Sequence, residues 1–420
     1  MKKIKVALLG LGTVGFGTYT ALTEREEKFA SLIGKTFEIT GILIKDEEKP
    51  REIDKQTLIT TCFEYLFLNE APDVVIEVMG GIEPAFSYIK RALQSGCHVV
   101  SANKDLIAKH GKELRDLASA HHVRFVYEAS VAGGIPILRT IKELLVGNQI
   151  ENVEGILNGT SNFILSNMRT AGASFEKALE LAQQKGYAES DPTNDIEGID
   201  AFFKAMVLCD WIFGRQPDWK QVNVEGITNI TIDEIQLASQ LGLRVKHLVL
   251  INSDLHVEIK PVFVDSDHPL YGVENVDNAI RLKTDILGYL TLQGAGAGAE
   301  ATSSAVIEDL LSIYLTKPIN REVNINTVNT SCEKQSDGQK IYLLFYDKSQ
   351  ARSEELYSQL AKYGTILTTG YQSSSKKSYI LYKGSLKEYE SLIHFKKYEV
   401  KVFNHTLYAN VVQPEFVNEG

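Results

Sequence analysis

Ile4-Lys5-Val6-Ala7-Leu8-Leu9 running into Gly10-Leu11-Gly12-Thr13-Val14-Gly15 is the stretch that decides the fold. The apolar run over 4–9, closed by glycine, reads as a buried strand. Gly-x-Gly-x-x-Gly gains meaning here because it follows a strand and opens a helix. Gly10 permits the tight turn, Gly12 lets the backbone approach a pyrophosphate, and Gly15 lets the helix pack close to the sheet. Leu11, Thr13 and Val14 complete a turn whose helix N-terminus offers unpaired N–H groups to phosphate.

Outward from this turn the first 150 residues alternate strand and helix. Strands are expected over 37–44, 73–78, 98–102 and 124–128, and helices over 13–29, 84–94 and 109–121. Near-continuous apolar strands in that alternation mean a parallel sheet with helices on both faces. After Gly147 the pattern changes to helices over 161–214, then strands over 245–251, 257–264 and 286–293. Gly294-Ala-Gly-Ala-Gly298 leads into a helix over 301–315 that can return to the first unit. A polar joint over 331–338 precedes strands at 341–346, 366–371, 378–382 and 399–403, with helices at 353–363 and 386–395. That β-α-β-β-α-β order is ferredoxin-like. The expected class is α/β: a Rossmann-like doubly wound sheet over 1–135, an α+β substrate and dimerisation unit over 136–325, and a ferredoxin-like unit over 338–420.

The chain has 420 residues, with 44 basic against 54 acidic side chains, a net of −10. That balance argues against nucleic acid, which needs a basic footprint. No apolar run approaches a membrane span. Cys62, Cys97, Cys209 and Cys332 form no C-x-x-C and no metal cluster, so free thiols in a reducing cytosol are expected. Met1-Lys2-Lys3 resembles the start of a signal peptide, but the glycines that follow and the lack of a cleavage site argue for a cytoplasmic protein.

The chemistry-bearing residues cluster at strand ends and on one helix. At the tip of the second strand, Lys45 suits a ribose 2′-phosphate, while the adjacent Asp46 leaves NAD open. Lys104 follows Ala102-Asn103 at a strand end, where ligands of open α/β sheets sit. Glu128-Ala-Ser-Val131-Ala-Gly133-Gly134-Ile135-Pro136 is a glycine turn before a helix, with a plain connector as the default. Asn158-Gly159-Thr160-Ser161 opens a helix, which Thr160 or Ser161 would cap unless Thr160 serves a ligand. The densest polar run is Gly186-Tyr187-Ala188-Glu189 through Asp195 to Asp200 and Lys204. Asp200 and Lys204 share one face of an otherwise apolar helix. Burying such a pair is expensive, and such charges cluster at functional sites. A lysine there can give a proton to a carbonyl oxygen as hydride arrives, and take it back in reverse.

Over about residues 1–325 the chain resembles homoserine dehydrogenase. The resemblance rests on the run from Ala182 through Gly186-Tyr187-Ala188, Asp191-Pro192 and Asp195-Ile196 to Lys204. The nucleotide turn, Ala102-Asn103-Lys104, Tyr127 to Pro136 and Gly155 to Thr160 support it. It implies NADP(H)- or NAD(H)-dependent interconversion of L-homoserine and L-aspartate 4-semialdehyde, toward threonine, methionine and isoleucine. It implies Lys204 as acid/base and Lys104 as a second essential lysine. Glu189 would bind the substrate amino group, supported by Asp195, Asp200, Tyr187 and Thr160, with Gly186 and Gly298 near the cofactor. Glu128, Val131, Gly133 and Ile135 would supply oxygens to a structural sodium ion, and a homodimer is implied. The C-terminal unit resembles an ACT module, yet Asp347-Lys348-Ser349-Gln350 lacks the usual Asp-x-Pro-Gly. Two other readings are another Rossmann oxidoreductase of a related aldehyde or imine, and a non-catalytic NADP-sensing regulator.

Overall fold

The computed structural model describes residues 2–46, 53–54, 57–68, 71–315, 341–347, 353–372, 377–384 and 396–401. The N-terminal sheet holds β1 (Lys3–Leu9), β2 (Thr36–Leu43), β3 (Leu58–Thr60), β4 (Val74–Glu77), β5 (His98–Ser101) and β6 (Phe125–Val126). Its order is β3-β2-β1-β4-β5-β6, and every pairing is parallel. Strand order reverses between β1 and β4, which opens the ligand crevice beyond their carboxyl ends. Val74, Val75 and Ile76 are fully buried, as a two-sided parallel sheet requires.

Helices α1 (Thr13–Glu24), α2 (Glu26–Ile33), α3 (Ala85–Gln94) and α4 (Lys104–Ala120) cover this sheet. Three expectations need correction. The helix expected over 13–29 is two helices, because Arg25 sits at φ −113°, ψ 21° and ends α1. The helix expected from 109 starts at Lys104, since Asn103 Oδ1 accepts the Leu106 N–H at 3.2 Å as its N-cap. The strand expected over 124–128 is only two residues long, and Glu128 begins a tight turn.

The second sheet carries β7 (Ile150–Ile156), β8 (Asn223–Val224), β9 (Arg244–Asn252), β10 (Val257–Val264), β11 (Asp277–Thr284) and β12 (Tyr289–Ala295). With it go α5 (Ile137–Arg139), α6 (Gly159–Ala171), α7 (Phe175–Gln184), α8 (Thr193–Ile196), α9 (Ile199–Phe213) and α10 (Ile232–Gln240). The sequence reading missed β7 and β11, and it began β12 three residues early. β11 buries Asn278 and Arg281 among its aliphatic residues, so its pattern does not look like a strand. α11 (Ala299–Leu315) begins two residues earlier than expected and does return to the first unit. There Val306 and Leu310 share a core with Ile4, Val6 and Leu8.

The C-terminal unit has β13 (Ile341–Asp347), α12 (Ser353–Tyr363), β14 (Gly364–Gln372), β15 (Lys377–Gly384) and β16 (Lys396–Lys401). Its strands run in the order β16-β13-β15-β14 with antiparallel neighbours, as the ferredoxin-like reading expects. Parallel pairing of β16 with β10 continues the second sheet into this unit. Ile341, Leu343 and Phe345 join Leu165, Val245 and Phe263 in one apolar cluster. The joint at 331–338, the turn at 348–350, the helix expected over 386–395 and residues 402–403 lie outside the described residues.

Candidate active site

α9 is a buried helix, with Ala201, Ala205, Met206, Val207, Leu208 and Cys209 enclosed. Two charges sit near its start. Lys204 Nζ donates to Asp200 Oδ2 at 2.7 Å and to the Leu157 carbonyl at 2.7 Å. Lys104 Nζ, from the first turn of α4, lies 3.1 Å from Asp200 Oδ1. One carboxylate thus bridges two ammonium groups, one from each half of the molecule.

Asn158 locks this arrangement from below. Its Nδ2 donates to Asp195 Oδ1 at 2.7 Å and to Asp200 Oδ2 at 2.9 Å, while its Oδ1 accepts the Ser161 N–H as the N-cap of α6. The expected capping by Thr160 or Ser161 is therefore corrected to Asn158. The side chain missed in the sequence is among the strongest N-cap formers, which was the available signal. Thr160 instead donates from Oγ1 to the Tyr187 carbonyl at 2.7 Å, fixing the turn after α7. Gly186 permits that turn with φ 73°. Tyr187 stands edge-on to Phe163, with ring centroids 5.0 Å apart. Glu189 is exposed, with its main-chain carbonyl held by Gln183 at 3.1 Å, and the described contacts do not bring its carboxylate into the cluster.

The charges are held in definite states. Burial pushes the Asp200 carboxyl up, but Lys204, Lys104 and its hydrogen bonds outweigh that and hold it at about 2. Burial pulls the Lys104 ammonium down, and Asp200, Asp105 and Asp195 reverse this, so its pKa is raised. Burial also lifts Asp195 above its ordinary value, against the Asn158 hydrogen bond. The cluster thus centres on an ionised Asp200 carboxylate, with a cationic Lys104 beside it.

The strand tips that face this cluster are organised by Glu77, which the sequence reading did not single out. Ser101 Oγ donates to Glu77 Oε2 at 2.6 Å, and the Met79 N–H donates to Oε1 at 2.9 Å. Asn103 Nδ2 reaches Glu77 Oε1 at 3.3 Å and the Gly81 carbonyl at 2.5 Å. Burial raises the Glu77 pKa. The hydrogen bonds tie the ends of β4 and β5 together at the mouth of the crevice.

The glycine turn fits a dinucleotide. Gly10 adopts φ 102°, its N–H donates to the Leu43 carbonyl at 2.9 Å, and a Cβ there would press on Val78. A Cβ on Gly15 would overlap the Gly10 carbonyl, whereas one on Gly12 would meet nothing within 4 Å. Gly12 therefore borders open space, at the start of a helix that no side chain among the described residues caps. Thr13 is exposed beside it, while Leu11 and Val14 pack toward the core. Lys45 and Asp46 are exposed just past the buried Ile44 at the tip of β2. Gly298, at φ 110°, precedes α11, whose Ala299 and Ser303 pack against Gly17 of α1.

The turn of Glu128, Val131, Gly133 and Ile135 is buried beside a second carboxylate. The Glu128 N–H donates to Asp309 Oδ2 at 2.7 Å, and its own carboxylate accepts from Leu138 and Arg139 at 2.8 Å each. Burial lifts the Glu128 carboxyl to about 7 and Asp309 well above its usual value. Ala132 and Gly133 both take positive φ, 54° and 56°. Glu128, Val131, Gly133, Ile135 and Asp309 are buried together, and oxygen donors are the type that a hard cation takes. No group of three or more His, Cys, Asp or Glu side chains among the described residues is placed to hold a metal. Cys62, Cys97 and Cys209 are free, as expected. No helix among the described residues is long and apolar enough to cross a membrane.

Comparisons with known proteins converge on one family. Residues 10–128 match the family model "Homoserine dehydrogenase, NAD binding domain", and residues 136–311 match "Homoserine dehydrogenase". The homoserine dehydrogenase of Lactococcus lactis is 40% identical over 316 residues, covering 74% of either chain. The crystal structure of a homoserine dehydrogenase from Thiobacillus denitrificans superposes with a TM-score of 0.83 at 31% identity, covering 96% of this chain and 99% of that one. A hyperthermophilic archaeal homoserine dehydrogenase in complex with NADPH superposes at 0.65 with 27% identity, covering 75% of this chain and 99% of that one. The crevice at the β1–β4 reversal, the shared Asp200 carboxylate and these matches agree, and the chain belongs to the homoserine dehydrogenase family.

Proposed function

We propose that this NAD(P)-dependent oxidoreductase reversibly reduces L-aspartate 4-semialdehyde to L-homoserine, with Lys204 as the proton donor. The observation that carries the reading is the Asp200 carboxylate bridging Lys204 and Lys104. It fixes the Lys204 ammonium near the start of a buried helix and beside Lys104 at the tip of β5. The bound nicotinamide supplies the hydride in reduction and receives it in oxidation. Lys204 gives its proton to the carbonyl oxygen as that oxygen gains negative charge, and recovers it from the hydroxyl in the reverse direction. Lys104 stays cationic and orients the carbonyl. Glu189 takes the substrate ammonium group, with Asp195, Tyr187 and Thr160 shaping that side.

The 10–15 turn would hold the pyrophosphate of the cofactor, with Gly186 and Gly298 bordering that site. Lys45 favours NADP(H) through the 2′-phosphate, with NAD(H) as the second cofactor. Glu128, Val131, Gly133 and Ile135 would hold a sodium ion, which would favour the ionised form of the Glu128 carboxyl against the burial that lifts it to about 7. The three parts, 1–135, 136–325 and 338–420, bind nucleotide, bind substrate and pair subunits, and regulate, in a cytoplasmic homodimer. Neither nucleic acid nor membrane is a partner. Nicotinamide absorbance followed with homoserine and either NADP or NAD tests the reading. No turnover with either cofactor would remove it. Unchanged rates with added threonine would remove an effector role for the C-terminal unit.

A further inference from the structure

Asn278 on β11 is fully buried, and among the described residues neither its Nδ2 nor its Oδ1 has a hydrogen-bond partner. Leaving both ends of a carboxamide unpaired forfeits the hydration of two strong polar groups with no return. An apolar side chain of the same shape would serve packing better. The place of Asn278 gives a reason for its retention. It pairs with Gly294 across the β11–β12 ladder, and the carboxamide lies directly against Gly296. A Cβ on Gly296 would overlap Cγ, Nδ2 and Oδ1 of Asn278, so only glycine lets the chain lie there. The far side of Gly296 presses on Gly133, and the Gly134 N–H donates to the Ala295 carbonyl at 3.0 Å. Beyond it Ala297 and Gly298 are exposed, and α11 begins against Gly17, one turn past the start of α1. The loop over 294–298 thus spans from Asn278 to the nucleotide turn.

We infer that Asn278 is a positioning residue for cofactor binding: its carboxamide pairs with the main chain of residues 296–298 when that loop closes on the bound dinucleotide. The amide is then held ready beneath the loop, and the cost of its unpaired state in the free chain is recovered in the complex. Gly298, at φ 110°, and the β-to-helix junction give the loop the freedom to shift. This inference rests on the nicotinamide-cofactor reading.

Two measurements on the full chain test it. In the wild type, NADPH should slow hydrogen exchange of the Ala297 and Gly298 amides by about tenfold or more. The near-isosteric Asn278→Leu should keep or raise the melting temperature without cofactor, and weaken the NADPH Kd about tenfold by fluorescence titration. The KM for NADPH should rise more than kcat falls. Unchanged exchange in the wild type overturns the inference. So does an Asn278→Leu chain that melts lower, or fails to fold, while wild-type exchange is indifferent to NADPH. A variant with wild-type Kd overturns it as well. If the wild type binds neither NADPH nor NADH, the cofactor reading itself falls and this inference falls with it; binding without loop protection removes the inference alone.

Discussion

Lys204 on α9 and Lys246 on β9 both bury an ammonium group against a carboxylate, 2.7 Å from Asp200 and 3.1 Å from Glu274. Their surroundings differ. Asp200 has two cations, a second carboxylate in Asp195, and an asparagine holding both acids. Glu274 has three cations, with Arg169 at 2.8 Å and Arg244 at 3.0 Å beside Lys246. The Lys204 cluster is assembled from α4 in the first unit and from α9 and the end of β7 in the second. Its partner Lys104 keeps 35% of its side chain exposed at the crevice. The Lys246 cluster comes wholly from the second unit, and Lys246 itself is 2% exposed. A buried lysine–carboxylate pair therefore does not by itself mark a site. What marks one is a pair built across two units at the carboxyl ends of parallel strands, with one partner still open to ligand.

The comparison is sharpest at the two lysines' catalytic effects. Lys204→Met should cut kcat about 10³-fold, within the usual range for a lost general acid, and leave the NADPH Kd unchanged. A variant keeping a tenth of the rate would put Lys204 in the same class as Lys246. Asp200→Asn should lower kcat about 10²-fold and also lower the melting temperature, because Lys104 and Lys204 then lose the carboxylate that bridges them. Intact kcat in that variant would show that the bridge is only structural.

Glu274→Gln tests the other side. It strips the carboxylate that Arg169, Arg244 and Lys246 share. Destabilisation of about 2 kcal/mol is expected, below the range for fully buried pairs because these groups are partly exposed. Denaturant unfolding would measure it, and kcat of the surviving folded enzyme should match the wild type. A selective loss of kcat would tie this cluster to the reaction.

The sequence made one of these clusters legible and hid the other. Asp200 and Lys204 stand four apart on a helix, so their pairing follows from local geometry. The glycine turn likewise declares itself by spacing and context. Lys246 and Glu274 are joined only by folding β9 against the 270–275 turn, and no local period links them. Asn158 escaped notice for a related reason. Its capping bond is local, but its grip on Asp195 and Asp200 spans about 40 residues of chain. β11 escaped because it buries polar side chains on a sheet face, which breaks the alternation that announces a strand. The break at Arg25 inside the first predicted helix had no proline or glycine to signal it.

The smallest effect is the most discriminating for the inert cluster. Burial pushes Lys246 down to about 8 from 10.5; Arg244 and Arg169 add to this, while Glu274 works against it. Against burial, Lys246 first and then Arg169 hold Glu274 below its ordinary value, and Arg169 and Arg244 still pair with it when Lys246 is neutral. Between about pH 8 and 10.5 the unfolded chain holds this proton and the folded chain does not. More protons in the unfolded state mean that this group makes stability rise with pH across that window. Lys246→Met removes both the charge and the slope. The Val273 carbonyl loses its donor, which trims the gain. The variant should therefore equal the wild type or exceed it by about 1 kcal/mol at pH 7, with the difference shrinking toward pH 10 and kcat unchanged. A stability loss of several kcal/mol at pH 7 would show that Glu274 needs all three cations, and that the two clusters are closer in kind than their geometry indicates.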